Sequence, residues 1–238
     1  MRFRDHLRAE HEALTLLQRV VLSRGGAGCF TIAPAFAMTE VIRDEVRFEG
    51  RTWVLLAMSG EPRFEPARFG LALWPGGRTA DVRGFALEYE VRGGGVYVER
   101  LLANSHEPPP VNGVAAAAVA GETFSHGYDA LGLAWPLSGT FLLGAGVIAK
   151  ARRFRPFLSY ASLAELVFEQ GRLVEATDCS ALAAPLREAS EAIAFDVKAD
   201  LAVAVAERWR AIGQRAGAEA EAFLRRVEAL EQVDYTRF

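Results

Sequence analysis

The sequence predicts an α+β protein, with an antiparallel β-rich core, an N-terminal helix and a long C-terminal helical segment. In the middle of the chain, large apolar side chains recur at every second residue, which is typical of strands with one buried face. After residue 182 they recur every three or four residues, which is typical of helices. Short turns rather than helices separate the predicted strands, and this favours an antiparallel sheet over a parallel α/β sheet.

The first element is a predicted helix over residues 4–24. Its apolar residues fall at helical spacing, at Leu7, Leu14, Leu17, Val20 and Val21. The pattern stops at Gly25-Gly26, and glycine suits a helix end because it adopts positive φ at no steric cost. The segment contains no apolar leader, so we expect no signal peptide.

The next elements are predicted strands. A hairpin is expected around residues 49–51, between apolar runs at 46–48 and 52–56, because turn residues between two such runs are a hairpin signal. Two prolines indicate an irregular loop over 60–68, and a short strand is expected over 70–73,.

The clearest predicted hairpin joins strands over 85–91 and 96–101 through three consecutive glycines. The length of this turn decides which residue lies opposite Glu88. A two-residue loop would place Glu99 there, and a three-residue loop would place Arg100 there. Opposite charges across strands stabilise a pair and like charges oppose it. We therefore expect the three-residue loop.

More strands are predicted beyond a proline-rich connector at 108–110. One lies near 114–120, one lies over 138–149, and a hairpin joins 161–169 to 172–177,. The turn of this hairpin contains a glycine, which short hairpin turns favour because they need positive φ.

The C-terminal helical segment, residues 181–238, is predicted to follow a β-rich domain of residues 1–180. A single helix of about 48 residues would be about 72 Å long. A break is therefore expected, either near residues 195–196 or over 213–217. A long apolar seam needs something to cover it. We expect these helices to pack on the core or on a partner subunit, and a homodimer is one of these alternatives.

Composition excludes several classes of protein. Apolar residues make up 51% of the chain and charged residues 24%, which is enough to bury a core. The formal net charge of −3 predicts no nucleic-acid partner. No apolar run of about 18 residues is present, so no membrane association is expected. Cys29 and Cys179 indicate reduced thiols and a cytoplasmic location, with a disulfide between them as the alternative.

One segment, residues 124–129, suggests catalysis. In this hypothesis His126 is the base, Asp129 orients it, and Ser125 or Glu122 lies nearby,. The alternative is a loop histidine with local hydrogen bonds. The chain lacks a nucleophile elbow and a phosphate-binding glycine loop. No cofactor and no metal site are predicted.

Two carboxylates are binding candidates. Glu88 and Glu90 point to the same side of one predicted strand. They could perform acid–base work if they lined a cleft. On a solvent-facing sheet they would be hydrated, with Arg100 as the partner of Glu88.

Trp135 is a further binding candidate. Together with Trp53 and Trp74 it could line an apolar ligand pocket within the β region,. The alternative is that all three indoles belong to the core.

The region of the central hairpin resembles a known pattern. It contains the strings Thr79-Ala80, Arg83-Gly84-Phe85, Tyr89-Glu90-Val91 and Val96-Tyr97-Val98. This succession resembles small uncharacterised bacterial proteins in which an R-G-Y-x-x-x-W-E-I strand precedes an L-Y-L strand. The resemblance covers residues 44–177 and implies a β-rich middle. The chain has Tyr89 where the pattern has Trp, and the resemblance implies no activity.

Three functions follow from these observations as hypotheses. The first is a non-enzymatic binding or interaction protein of the immunity or regulatory kind, with a protein partner or with self-association through the C-terminal helices. The second is a hydrolase or lyase with a site centred on His126 and Asp129. The third is a carrier of a small apolar ligand.

Overall fold

The computed structural model describes residues 43–74, 83–119, 123–148, 156–192 and 201–232. The predicted N-terminal helix, the possible break near 195–196 and Cys29 lie outside these residues.

Within the described residues, eleven strands form one sheet and three helices follow the tenth strand. The strands are β1 (Glu45–Phe48), β2 (Arg51–Met58), β3 (Phe85–Arg92), β4 (Gly95–Ala103), β5 (Ala117–Ala118), β6 (His126–Tyr128), β7 (Leu133–Ala134), β8 (Gly139–Val147), β9 (Tyr160–Glu169), β10 (Arg172–Asp178) and β11 (Glu231–Gln232). The helices are α1 (Ser180–Ala192), α2 (Leu201–Ala216) and α3 (Ala218–Ala229). The predicted sheet-rich α+β class is confirmed.

The sheet is mixed: the predicted antiparallel pairing is found between the other paired strands described, but it does not hold for β1 and β3. Its main order is β10-β9-β8-β2-β1-β3-β4-β6-β5, and β1 and β3 pair in parallel. The β1–β2 hairpin explains this exception. Because β2 ends at the level where β1 begins, a chain that starts β3 from that level runs in the direction of β1.

A buried ion pair fixes the junction of β1, β2 and β3. The Arg83 guanidinium donates from Nη2 to Oδ1 of Asp44 at 2.5 Å and from Nη1 to Oδ2 at 3.1 Å. The same Oδ1 accepts from the Leu87 amide at 2.9 Å, and the Asp44 carbonyl accepts from the Leu55 amide at 2.9 Å. Asp44 therefore contacts β2 and β3, the two strands that flank β1.

The sheet curls until β10 meets β4, where Arg172 pairs with Gly95. The Val96 amide donates to the Gly171 carbonyl at 2.9 Å. The curled sheet forms a barrel around the larger apolar core, whose centre holds Tyr89, Phe141 and Phe168. These rings pack edge to face, at centroid distances of 5.3 and 5.1 Å.

A second core lies between the helices and the outer side of β2, β8 and β9. Its sheet side includes Leu142 and Leu163, and its helix side includes Leu186, Ile212 and Phe223. The part of the apolar seam that the structure describes is thus covered by the chain's own sheet. That removes, for this part, the reason for expecting a partner subunit there. The predicted break within 213–217 is confirmed at Gly217, whose φ is 100°.

The central hairpin pairs Glu88 with Arg100 as predicted, but a different structural feature produces this register. The turn has two residues, Gly93 and Gly94, both with positive φ. The register shifts between Glu88 and Tyr89, which leaves Glu99 as an extra residue in β4. The predicted three-residue loop was therefore wrong. A β-bulge avoids the unfavourable pairing of two glutamates instead.

The other strand predictions have mixed outcomes. The hairpins at 46–56 and 161–177 and the strand within 138–149 are confirmed. Near 114–120 only β5 forms, with two residues. The strand over 70–73 was wrong, because Gly70 ends a 3-10 turn with φ 72°. Leu71 then enters the core from a loop.

Among the helices that the structure describes, none is both long and apolar enough to cross a membrane.

Candidate functional site

Charged side chains lie on the outer side of β1, β3 and β4. The outer side of β2, β8 and β9 is instead covered by helices. In register, Glu45 lies beside Glu88, and Arg47 lies beside Glu90. Side chains alternate along a strand, so these residues point away from the barrel while Leu87 and Tyr89 point into it. We call this surface the charged face, defined by Glu45, Arg47, Glu88, Glu90, Arg92, Glu99, Arg100 and Asp129.

Arg100 is shared between two carboxylates. Its Nη1 donates to Oε1 of Glu88 at 3.0 Å, and its Nε lies 2.8 Å from Oδ1 of Asp129. Asp129 reaches this position because Leu101 pairs with Tyr128, which places Asp129 next to Arg100. One guanidinium thus orders a carboxylate on either side of β4.

Arg92 is shared in the same way. Its Nη1 donates to Glu99 at 2.8 Å and also to Glu90. Its guanidinium lies 4.4 Å from the ring centroid of Tyr97. The hydrogen bonds with Glu99 and then with Glu90 raise the pKa of Arg92. The bulge that places Glu99 outside the regular ladder is what brings it within reach of Arg92.

The charged face holds more negative than positive charge. Five of its residues are carboxylates and three are guanidiniums, by the definition above. Partial burial and then the negative charge of Glu88 raise the pKa of Glu45, while Arg100 lowers it.

The predicted catalytic pair is not brought together. His126 pairs with Ala103, and its Nδ1 lies 3.0 Å from Oγ of Ser125. Asp129 is three residues further along and contacts Arg100 on the charged face. Asp129 follows the end of β6, and its carboxylate contacts Arg100 while the His126 ring contacts Ser125.

The Ser125 hydroxyl is held by the backbone. Its Oγ accepts from the Ser105 amide at 3.2 Å and lies 3.2 Å from the Ala103 carbonyl. The Ser125 amide donates to Oδ1 of Asn104, a buried side chain, at 3.0 Å. These contacts tie the end of β4 to the start of β6, and they explain the polar residues of this segment as a structural connection.

The tryptophans do not form a common pocket. Trp135 is buried, and its indole nitrogen donates to the Pro62 carbonyl at 2.9 Å. Trp74 stacks on His106, with 5.5 Å between the ring centroids. Trp53 lies at the other end of the barrel, beneath Arg51. Trp135 is thus a core residue rather than a lining residue.

Sequence reasoning found Glu88, Glu90 and Arg100, gave Asp129 a different role, and missed the other members of the charged face. Glu45 is added by the parallel pairing of β1 with β3, for which the sequence has no local signal. Glu99 is added by the bulge. The like-charge clash that a two-residue turn would have created was the one available sign of that bulge.

Comparison of the chain with models of protein families, with curated proteins and with solved structures finds no match. The resemblance of residues 44–177 to small bacterial proteins therefore stays a prediction.

Proposed function

We propose that the protein is a non-enzymatic binding protein of the immunity or regulatory kind, and that its charged face docks a basic region of a protein partner. The supporting observation is the sharing of each central arginine between two acids. Arg100 serves Glu88 and Asp129, and Arg92 serves Glu90 and Glu99. Lysine or arginine side chains of a partner would supply the missing positive charge.

Prior ordering of these side chains favours binding. Long charged side chains lose conformational freedom when they bind, and this loss reduces affinity. The ion pairs of Arg92 and Arg100 already restrict the carboxylates around them. Complementary charge also speeds the encounter of two proteins and suppresses wrong partners. A partner with a basic patch fits both requirements.

The enzymatic alternative loses its proposed orienting group, since Asp129 contacts Arg100. The alternative of an apolar ligand inside the barrel is less well supported, because Trp135, its predicted lining residue, is part of the core. Self-association through the C-terminal helices remains a proposal, and the apolar residues described as buried on these helices already pack in the second core. The buried thiol of Cys179 is in keeping with a reducing compartment, and we propose a cytoplasmic location.

The test is affinity capture from a lysate of the source organism with three immobilised proteins. One is the native chain, one carries Glu88→Lys with Asp129→Lys, and the control carries Glu188→Lys on the exposed side of α1. We expect a basic protein on the native chain and on the control, and its loss from the double variant.

A second experiment tests whether the capture depends on opposite charges on the two proteins. Replacing the basic residues of the captured protein by acidic ones is expected to restore binding to the double variant. Equal capture by all three proteins would refute a role for the charged face.

A further inference from the structure

The interior of the barrel is filled at its centre and open at one end. Along β9 the inward residues become smaller in the order Phe168, Leu166, Ala164 and Ser162. On β10, Ala176 and Asp178 pair with Leu166 and Ala164. Small inward side chains at one end leave a pocket of about 360 Å³ between the β1–β2 hairpin and these two strands.

The walls of this pocket combine aromatic rings with polar groups. Phe48 and Trp53 form its apolar side, while Ser162, Thr177 and Ser180 contribute hydroxyl groups. Pockets at the mouths of barrels commonly bind small molecules. The size and mixed lining suit a small molecule with one apolar end and one polar end.

The charges of the pocket favour a cation. Its lining includes two acids, Glu49 and Asp178, and one base, Arg51. Oδ1 of Asp178 accepts from the Ser180 amide at 2.8 Å, and the hydrogen bonds from Ser180 lower the pKa of Asp178. The carboxylate is therefore ionised at neutral pH.

The position of Arg51 shows which chemistry fits the indole. Its guanidinium lies 4.6 Å from the ring centroid of Trp53, and it reaches Oγ of Ser162 at 3.4 Å. In the described part of the chain it meets no carboxylate. A cation held over an aromatic face is attracted by the ring, so Arg51 stays on the indole and leaves the Asp178 carboxylate to a ligand cation.

We propose that this pocket binds a small organic cation, an amine with an apolar body, with its ammonium group near Asp178 and its body against Phe48 and Trp53. The site lies on the interior side of the sheet, opposite the charged face. It is independent of the protein-docking function proposed above.

The test uses three probes of one shape and different charge: phenethylamine, 2-phenylethanol and 3-phenylpropionate. The chain has four tryptophans, and each gives one indole N–H signal in a ¹H–¹⁵N spectrum of the full chain. Phenethylamine is expected to shift the Trp53 signal and to leave Trp74, Trp135 and Trp209 unmoved. The alcohol is expected to bind about tenfold more weakly, and the anion more weakly still.

Two variants and one control locate the binding. Asp178→Asn keeps a side-chain oxygen that can accept from the Ser180 amide, and it is expected to weaken binding of phenethylamine about tenfold without changing binding of the alcohol. Ala176→Leu fills the pocket and is expected to remove binding of both. Glu88→Gln, on the charged face, is expected to change neither.

Three results would overturn the proposal. One is a Trp53 signal that phenethylamine leaves unmoved in the native chain. Another is binding of 3-phenylpropionate as strong as that of the amine. The third is retention of amine binding by a folded Ala176→Leu protein. None of these results bears on the docking of a protein on the charged face.

Discussion

The outer side of the sheet has two halves, and they differ in what their outward residues are. Over β2, β8 and β9 these residues include Leu56, Leu142 and Leu163, and helices cover them. Over β1, β3 and β4 they include the acids and arginines of the charged face. Strand alternation is the same in both halves. In the described part of the chain, the helices thus pack on the half whose outward residues are apolar.

The largest expected effect lies beneath the charged half, at the one acid there that is buried. Asp44 directly precedes Glu45, the first residue of β1, but Asp44 is 2% exposed and binds Arg83. Asp44→Ala would leave a buried guanidinium without its carboxylate, at a cost of about 3–5 kcal/mol in the free energy of unfolding. Urea denaturation measures it. Glu45→Ala is the matched control, and an equal loss there would contradict this contrast.

The helix-covered half is expected to depend on apolar packing. Leu142→Ala removes a side chain that is 1% exposed between β8 and the helices. The free energy of unfolding is expected to fall by about 2–5 kcal/mol. Urea denaturation again provides the measurement. A change below that range would mean that the helices do not rely on this surface.

Burial in the same half is expected to make the Cys179 thiol unreactive. Burial, followed by the charge of Glu165, raises the pKa of Cys179 from 9.0 to about 11. At pH 8 this lowers the thiolate fraction about a hundredfold. A Cys29→Ser chain, which retains Cys179, should react with a disulfide reagent only after unfolding. Rapid labelling of the folded chain would show that the helices open readily.

The charged half is expected to tolerate loss of an ion pair. Arg100 and Glu88 are 29% and 30% exposed, and pairs near the surface contribute below about 1 kcal/mol. Arg100→Gln should therefore change the free energy of unfolding by no more than that. A loss as large as that of Leu142→Ala would make the charged face a structural element rather than a binding surface.

The smallest effect concerns pH. Because the pKa of Glu45 is raised in the fold, its protonated form is favoured there relative to the unfolded chain. That contribution to stability is present below the ordinary pKa of a glutamate and is lost as pH rises through the raised value. Glu45→Gln should thus be slightly more stable than the native chain at pH 7 and no more stable at pH 3.5. The opposite order would contradict the effect of burial and of Glu88 on this carboxyl group.

Sequence reasoning succeeded where the signal was local. Alternation gave the hairpins of β3–β4 and β9–β10, and opposite charges gave the pairing of Glu88 with Arg100. It failed where distant segments meet. The parallel pairing of β1 with β3 follows a connection with no clear period, and the contact of Asp129 with Arg100 depends on how β6 joins β4. The role of Trp135 could not be decided from the sequence, because the residues that precede and follow a core tryptophan are of the same types as those beside a tryptophan that lines a pocket.

The most direct test measures both stability and binding for two variants. Glu88→Lys in the charged half and Leu142→Ala in the helix-covered half are each assayed for urea unfolding and for binding of the captured basic protein. The expected result is that Glu88→Lys loses the partner and loses no more than about 1 kcal/mol of stability, while Leu142→Ala loses more stability and, where folded, keeps the partner. Undiminished binding by Glu88→Lys would contradict the assignment of the charged face as the docking surface.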